Sequence, residues 1–181
     1  MTEKEKMLAG LPYQAWDDEL VILRENAKLL CHQFNHLAPN ETAKRHTILS
    51  NLLNIKGQFH IEANFFCDYG ENIYVGDNFY SNHNLVILDV CQVSFGNNVM
   101  LGPNVMIATA SHPLDPVARR ATEFGKPISI GNDVWIGGNV SVLAGVSIGD
   151  NSVIGAGSVV TKDITGNGVY AGNPCKFIKS I

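Results

Sequence analysis

Paired cysteines, long apolar runs and clustered basic charge are all missing from this 181-residue chain. Its four cysteines, Cys31, Cys67, Cys91 and Cys175, form no Cys-x-x-Cys pair. That excludes the zinc-ribbon and dithiol redox motifs and leaves four thiols expected to stay reduced. No stretch reaches the roughly 18 apolar residues of a membrane span. The opening MTEKEKMLAG lacks the apolar centre of a secretory signal. Lys and Arg number 13 against 17 Asp and Glu, for a net charge of −4. Apart from Arg119-Arg120 and the end of the chain they are thinly spread, so the basic stripe of a nucleic-acid binder is absent. Charged residues make up only 17% and hydrophobic ones 45%, which argues against disorder. The expectation is a soluble cytoplasmic protein with no membrane or nucleic-acid partner, built as one domain or one domain with a small appendage.

What is present divides near Gly57. Before it, Leu20, Leu23, Ala27, Leu30 and Phe34 fall at steps of three and four, which predicts a helix over 18–35. A second helix is expected from about Glu41 to Asn54, capped by Asn40 and stopped by Gly57, with Ile48, Leu49, Leu52 and Leu53 inward. The first ten residues are expected to form a short turn ending near Gly10.

After Gly57 the period changes to six. Ile130, Ile136, Val142, Ile148, Ile154 and Val160 are all β-branched, and glycine follows four of them. Phe95, Leu101 and Ile107 continue the frame backwards. An earlier block, Val75, Ile87 and Val93, is offset from Phe95 by two residues and has Ser81 where an apolar residue is due. A period of six fits neither a helix nor a simple alternating strand, but it does fit one face of a three-sided coil of about 18 residues. One side chain per face points into a narrow prism, and stacked coils turn these into apolar columns. Asp77-Asn78, Asn97-Asn98, Asn132-Asp133 and Asp150-Asn151 suit the corners, where the chain must bend, sometimes with φ > 0. The expected organisation is a helical segment, 1–57, followed by a mainly β solenoid, 58–181.

The frame breaks once. Ile107 to Ile130 is 23 residues instead of six. The intervening loop, 108–127, holds His112, Arg119-Arg120 and three prolines, too polar for the prism interior. Long loops thrown out of a regular scaffold are commonly functional. A histidine beside a solenoid wall suits proton transfer, because a free imidazole titrates near 6.5. It could serve as the general base that takes the proton of an attacking hydroxyl. Glu123, in the same loop, could orient that imidazole, bind an acceptor, or be a solvated carboxylate.

Several stretches resemble the maltose and galactoside O-acetyltransferase group of hexapeptide-repeat acyltransferases. They are EKEKMLAG (3–10), NIYVGDNFYSNHN (72–84), ILDVC (87–91), SHPLDPVAR (111–119), PISIGNDVWIGGNVSVLAGVSIGDNSVIGAGSVVTKDI (127–164) and AGNPCKFIK (171–179). The resemblance covers nearly the whole chain. It implies a left-handed parallel β-helix, against the general right-handed rule for parallel crossovers. It also implies acetyl transfer from acetyl-CoA to a small sugar, leaning towards the maltose side, without a metal. The family's catalytic histidine falls on His112 and its active-site asparagine on Asn82, a donor to the thioester carbonyl or the acceptor hydroxyl. As an oxyanion donor it would contribute on the order of 3 kcal/mol. Asp17, Asp68 and Asp89 fall at or near acceptor positions, and Glu123 joins them. Trp135, too large for the prism, is expected outside against the pantetheine arm. Gly138, Ala156, Thr161 and Lys162 match cofactor-contacting positions, and Lys176 and Lys179 match basic positions near the adenosine phosphates. Members of the family are homotrimers. His112 and Asn82 are expected from one chain and the outer cofactor wall from the next.

Two alternatives belong to other classes. A γ-type carbonic anhydrase shares the scaffold but needs three zinc-binding histidines, and His83 and His112 stand alone. A non-catalytic scaffold could keep the solenoid without a working site, but it would have no need of Asn82, His112 and Trp135 together.

Overall fold

In the computed structural model, which describes all 181 residues, the chain begins with three helices. Helix α1 (Glu3–Leu8) starts with a capping box in which Thr2 and Glu5 exchange side-chain and backbone bonds. Helix α2 (Asp18–His36) starts where the Asp17 carboxylate accepts the Glu19 N–H, and it buries Leu20, Ala27, Cys31 and Phe34. Helix α3 (Thr42–Leu52) is shorter than expected at both ends. Glu41, not Asn40, occupies the cap position and makes no capping bond, because its carboxylate is engaged by Ala38 N–H and Lys44. At the other end, Asn54–Ile55 is already a strand paired with Tyr74 and Val75. Gly57 is therefore no helix stop but a solenoid corner, where a Cβ would fall 2.1 Å from an Asp77 oxygen.

From Asn54 the chain winds through three parallel sheets. The first face stacks Asn54–Ile55, Ile73–Val75, Val93–Phe95, Ile128–Ile130 and Ser147–Ile148. The second begins with Phe59–Ile61, Phe79–Ser81, Met100–Leu101, Trp135–Ile136 and Ser152–Ile154. Gly168–Ala171 follows, and the antiparallel Lys176–Ser180 closes it. The third holds Phe65–Cys67, Leu85–Leu88, Met106–Ala108, Ser141–Val142 and Val159–Val160. Inward columns run through Val75, Phe95, Ile130 and Ile148, and through Ile87, Ile107, Val142 and Val160. Each is buried and belongs to one continuous core. On the second face Ser81 stands beside Leu101 in the inward column, fully buried, its hydroxyl donating to Asn82 C=O at 3.0 Å. Asn78, Asn98, Asp133 and Asn151 turn their corners with φ of 55°, 58°, 55° and 53°.

The two-residue offset of the early block has a local cause. Val75 pairs with Phe95, and eight residues instead of six separate Cys67 from Val75 and Ile87 from Phe95. Both insertions fall at the corner between the third and first faces, and the long interruption after Ala108 leaves from that same corner. Three successive coils are thus widened on one edge, here called the His112 edge.

Helices α2 and α3 close the base of the prism with Phe34, Leu49, Leu52 and Leu53. The Asn35 amide donates to Phe65 C=O and accepts from Phe65 N–H, both at 2.9 Å, standing in for a neighbouring strand. The N-terminal segment packs elsewhere. Met7, Tyr13 and Leu20 cover Tyr69, Val90 and Cys91 on the His112 edge. The loop itself is a hairpin arm, Ala110–Ser111 against Phe124–Gly125, tipped by helix α4 (Pro116–Ala121). Asp115 caps α4, accepting the Val117 and Ala118 N–H groups.

Candidate active site

Tyr13 and Glu123 form a backbone bridge, with N–H···O distances of 3.0 and 3.2 Å, which ties the N-terminal segment to the arm. The Tyr13 hydroxyl donates to the Glu123 carboxylate. The other Glu123 oxygen lies 3.8 Å from His112 Nε2. That is too long for a hydrogen bond but close enough for charge attraction. The imidazole side chain is 54% exposed, so it can meet a substrate. It opens into a shallow pocket of about 110 Å³ whose other walls include Ala15, Trp16, Arg119 and Arg120. The ring of Trp16 stands almost free in solvent at 86% exposure, and the Arg24 guanidinium sits 5.8 Å from its centre.

Acids and phenols crowd this edge. Burial, then the charge of Glu123, raises the pKa of Asp68 above the ordinary carboxylate value. Burial also pushes Tyr69 up to about 12, against the pull of Arg24, whose guanidinium donates to its hydroxyl at 2.7 Å. Tyr13 is lifted well above an ordinary phenol by burial and by donating to Glu123.

Asp89 requires a correction. It was expected near the acceptor, but it is fully buried. Its carboxylate accepts three successive N–H groups, from Asp68 at 2.9 Å, Tyr69 at 3.0 Å and Gly70 at 2.7 Å. It shapes the inserted corner below and does not reach the pocket. Burial pushes its pKa up to about 6, more than the backbone donors lower it. Asp17 is half-buried at the start of α2, with one carboxylate oxygen on the helix N–H.

Asn82, Gly138 and Ala156 sit on a different edge. Asn82 turns the corner between the second and third faces, where its Oδ1 accepts the His83 N–H at 2.7 Å. Its NH₂ group is free to donate. Gly138 and Ala156 occupy the same corner two and three coils further on. Small residues are needed there. A Cβ on Gly138 would meet Pro103 at 3.2 Å, and one on Gly137 would meet Ala156 N at 2.7 Å. Trp135 lies on the adjoining second face between Met100 and Val153, 53% exposed, outside the prism as expected. Lys176 and Lys179 lie exposed on the last strand of that face, while Thr161 and Lys162 return to the His112 edge at the fifth coil.

The structure therefore separates His112 from Asn82 within one chain. A whole face lies between their corners, on the order of 20 Å of extended chain. The six-residue frame contained this information, since Ser81 and Ile107 stand in different columns. Tyr13, Trp16, Arg24 and Tyr69 were not anticipated. Only Trp16 carried a hint, as an aromatic beside Asp17.

Residues 6–57 match the family model for the maltose acetyltransferase hexapeptide capping motif, and 127–162 match bacterial transferase hexapeptide repeats. A maltose O-acetyltransferase from Clostridium difficile 630 superposes with a TM-score of 0.99 and 53% identity, covering 100% of this chain and 98% of that one. The chain belongs to the maltose and galactoside O-acetyltransferase group of hexapeptide-repeat acetyltransferases. A galactoside acetyltransferase solved with coenzyme A superposes with a TM-score of 0.96 and 41% identity, covering 100% and 92% of the two chains. The galactoside O-acetyltransferase of Escherichia coli is 42% identical over 183 residues, 100% of this chain and 90% of its own length. This acetyltransferase shares their left-handed parallel β-helix.

Proposed function

We propose that this acetyltransferase moves the acetyl group of acetyl-CoA onto a hydroxyl of a small sugar, maltose, glucose or a galactoside, in a groove shared by two copies of the chain. One observation carries the shared groove. The two edges bear complementary halves of a site in the same vertical order. On the His112 edge Asp68 lies low, His112 and Glu123 at mid-height, and Thr161 and Lys162 high. On the other edge Asn82 lies low, with Gly138 and Ala156 above it. Packing the His112 edge of one copy against the Asn82 edge of the next brings these halves into register.

The outward residues favour that packing. Tyr80, Met100 and Trp135 line the second face and Phe66 lies on the third, all at least 37% exposed. The first face presents one exposed aromatic, Tyr74, and then Ser94, Ser129 and Ser147. The apolar faces flank the Asn82 edge and await a cover. Edge-to-edge contact is head-to-tail, and such contacts close into a ring when the rotation per copy divides a full turn; the assembly proposed is a ring of three.

Acetyl-CoA supplies a carbonyl already activated as a thioester, so no protein nucleophile is required. Its pantetheine arm would lie along Gly138, Ala156 and Trp135, where small side chains expose the backbone, with Lys176 and Lys179 towards the phosphates. His112 takes the proton of the acceptor hydroxyl as its oxygen attacks the acetyl carbon, then delivers it to the departing sulfur. Glu123, held by Tyr13, stabilises the imidazolium formed in between. The free NH₂ of Asn82 holds the thioester oxygen or the acceptor hydroxyl. Asp68 and the open ring of Trp16 border the acceptor.

The first assay is thiol release from acetyl-CoA with maltose, glucose and galactosides. His112→Ala should lower turnover at least ~10²-fold, and unchanged turnover removes it from the mechanism. The shared groove has its own test. His112→Ala and Asn82→Ala chains, each inactive alone, are co-refolded. Random assembly should restore about a quarter of wild-type activity, and no recovery would show that one chain supplies both groups.

A further inference from the structure

A second cavity, of about 330 Å³, lies at the base of the solenoid between α3 and the start of the second face. Within one chain it lies away from the arm that carries His112, at the foot of the edge that bears Asn82. One wall is formed by Arg45, which is 9% exposed. Its guanidinium carbon sits 4.3 Å from the centre of the Phe34 ring, and one N–H reaches Ile61 C=O at a long 3.4 Å. A guanidinium has five N–H donors. The carboxylate in the wall, Glu62, is occupied by His60 Nε2 at 3.1 Å, and Arg45 forms no ion pair with it or any other acid. No buried side-chain nitrogen or oxygen in the molecule lacks a partner, so the unbonded donors of Arg45 must keep solvent contact, and the cavity they line provides it. A nearly buried cation without a counter-ion is costly unless an anion completes it.

The rest of the cavity suits an organic anion. His46, tilted by 31° against Phe59 with centroids 4.4 Å apart, and His83, whose Nδ1 is engaged by Ala63 C=O, present ring nitrogens at the rim. Phe34, Leu49 and Phe59 provide an apolar floor. The volume is at the lower end of the range for small-molecule sites. We propose that this cavity binds a small organic anion, with its carboxylate or phosphate on Arg45 and its apolar portion on Phe34 and Phe59. It lies one coil below the Asn82 corner, and His83 on its rim is the residue that follows Asn82.

The test titrates inorganic phosphate, and separately acetate, into the full-length protein and follows backbone amide resonances. Saturable shifts at Arg45, His46, His60 and Ala63 with either probe support the proposal, and the tighter probe identifies the headgroup. Shifts confined to Lys162, Lys176 and Lys179, or no saturable shifts, would overturn it. Arg45→Gln should weaken the interaction at least tenfold, and unchanged affinity would also overturn it. The mapping on wild-type protein decides the matter even if Arg45→Gln does not fold.

Discussion

Replacing Glu123 with glutamine keeps the shape of the side chain and removes the charge that stands 3.8 Å from His112 Nε2. Two unit charges at that distance attract by about 4 kcal/mol at an effective dielectric of ~20. The imidazole is 54% exposed and the carboxylate 22%, so water screens much of this, leaving about 1–2 kcal/mol. That energy acts only while the imidazole carries the hydroxyl proton. It should therefore appear in kcat, as a loss of roughly tenfold, with the KM for acetyl-CoA little changed. Tyr13→Phe removes the hydroxyl that fixes Glu123 but leaves the charge, and the loss of one hydrogen bond predicts about a three- to fivefold lower kcat. The double variant should be no slower than Glu123→Gln alone, because Tyr13 acts through Glu123. Steady-state thiol release at saturating sugar measures all three. A kcat for Glu123→Gln within twofold of wild type would reduce Glu123 to a solvated loop carboxylate. Additive losses would mean that Tyr13 works by another route.

Trp135→Ala should raise the KM for acetyl-CoA about tenfold with kcat nearly unchanged, since an exposed indole contributes equally to ground-state and transition-state binding; a fall in kcat alone would contradict that. Gly102→Ala would place a Cβ 2.5 Å from Gly138 N in the next coil, so the coils must separate, at a cost of about 1–3 kcal/mol. A thermal melt matching wild type would refute the close packing. The folded Asp89 titrates near 6, against 3.8 for an ordinary carboxyl. Between those values the native state holds a proton that the unfolded chain has released, so this group's stabilising contribution is lost as pH rises through that window, by roughly 3 kcal/mol in all. Asp89→Asn should flatten the fall in stability between pH 4 and 7, and urea unfolding with the wild-type slope would show that Asp89 is not the source.

The solenoid was readable because its core is periodic. Ile130 to Val160 recur at the one spacing that a three-sided coil accepts, and no other element accounts for it. Trp135 was placed outside by size alone. Stacked corners account for the run of Asn and Asp residues. Asn82 follows Ser81, and His112 leaves the frame after Ile107, which stands in a different column; shared chemistry suggested a shared chain, and only the geometry kept them apart. Asp89 was misread because two extra residues at its corner turn the carboxylate inward, and no local pattern marks such an insertion as buried. The contact between Tyr13 and Glu123 joins positions far apart along the chain, through an arm whose direction depends on what packs beneath it. Period and size are local properties, and the sequence carries them openly. Which edge a side chain faces, and which distant group it meets, depends on how the coils are summed, and that the tertiary structure alone decided.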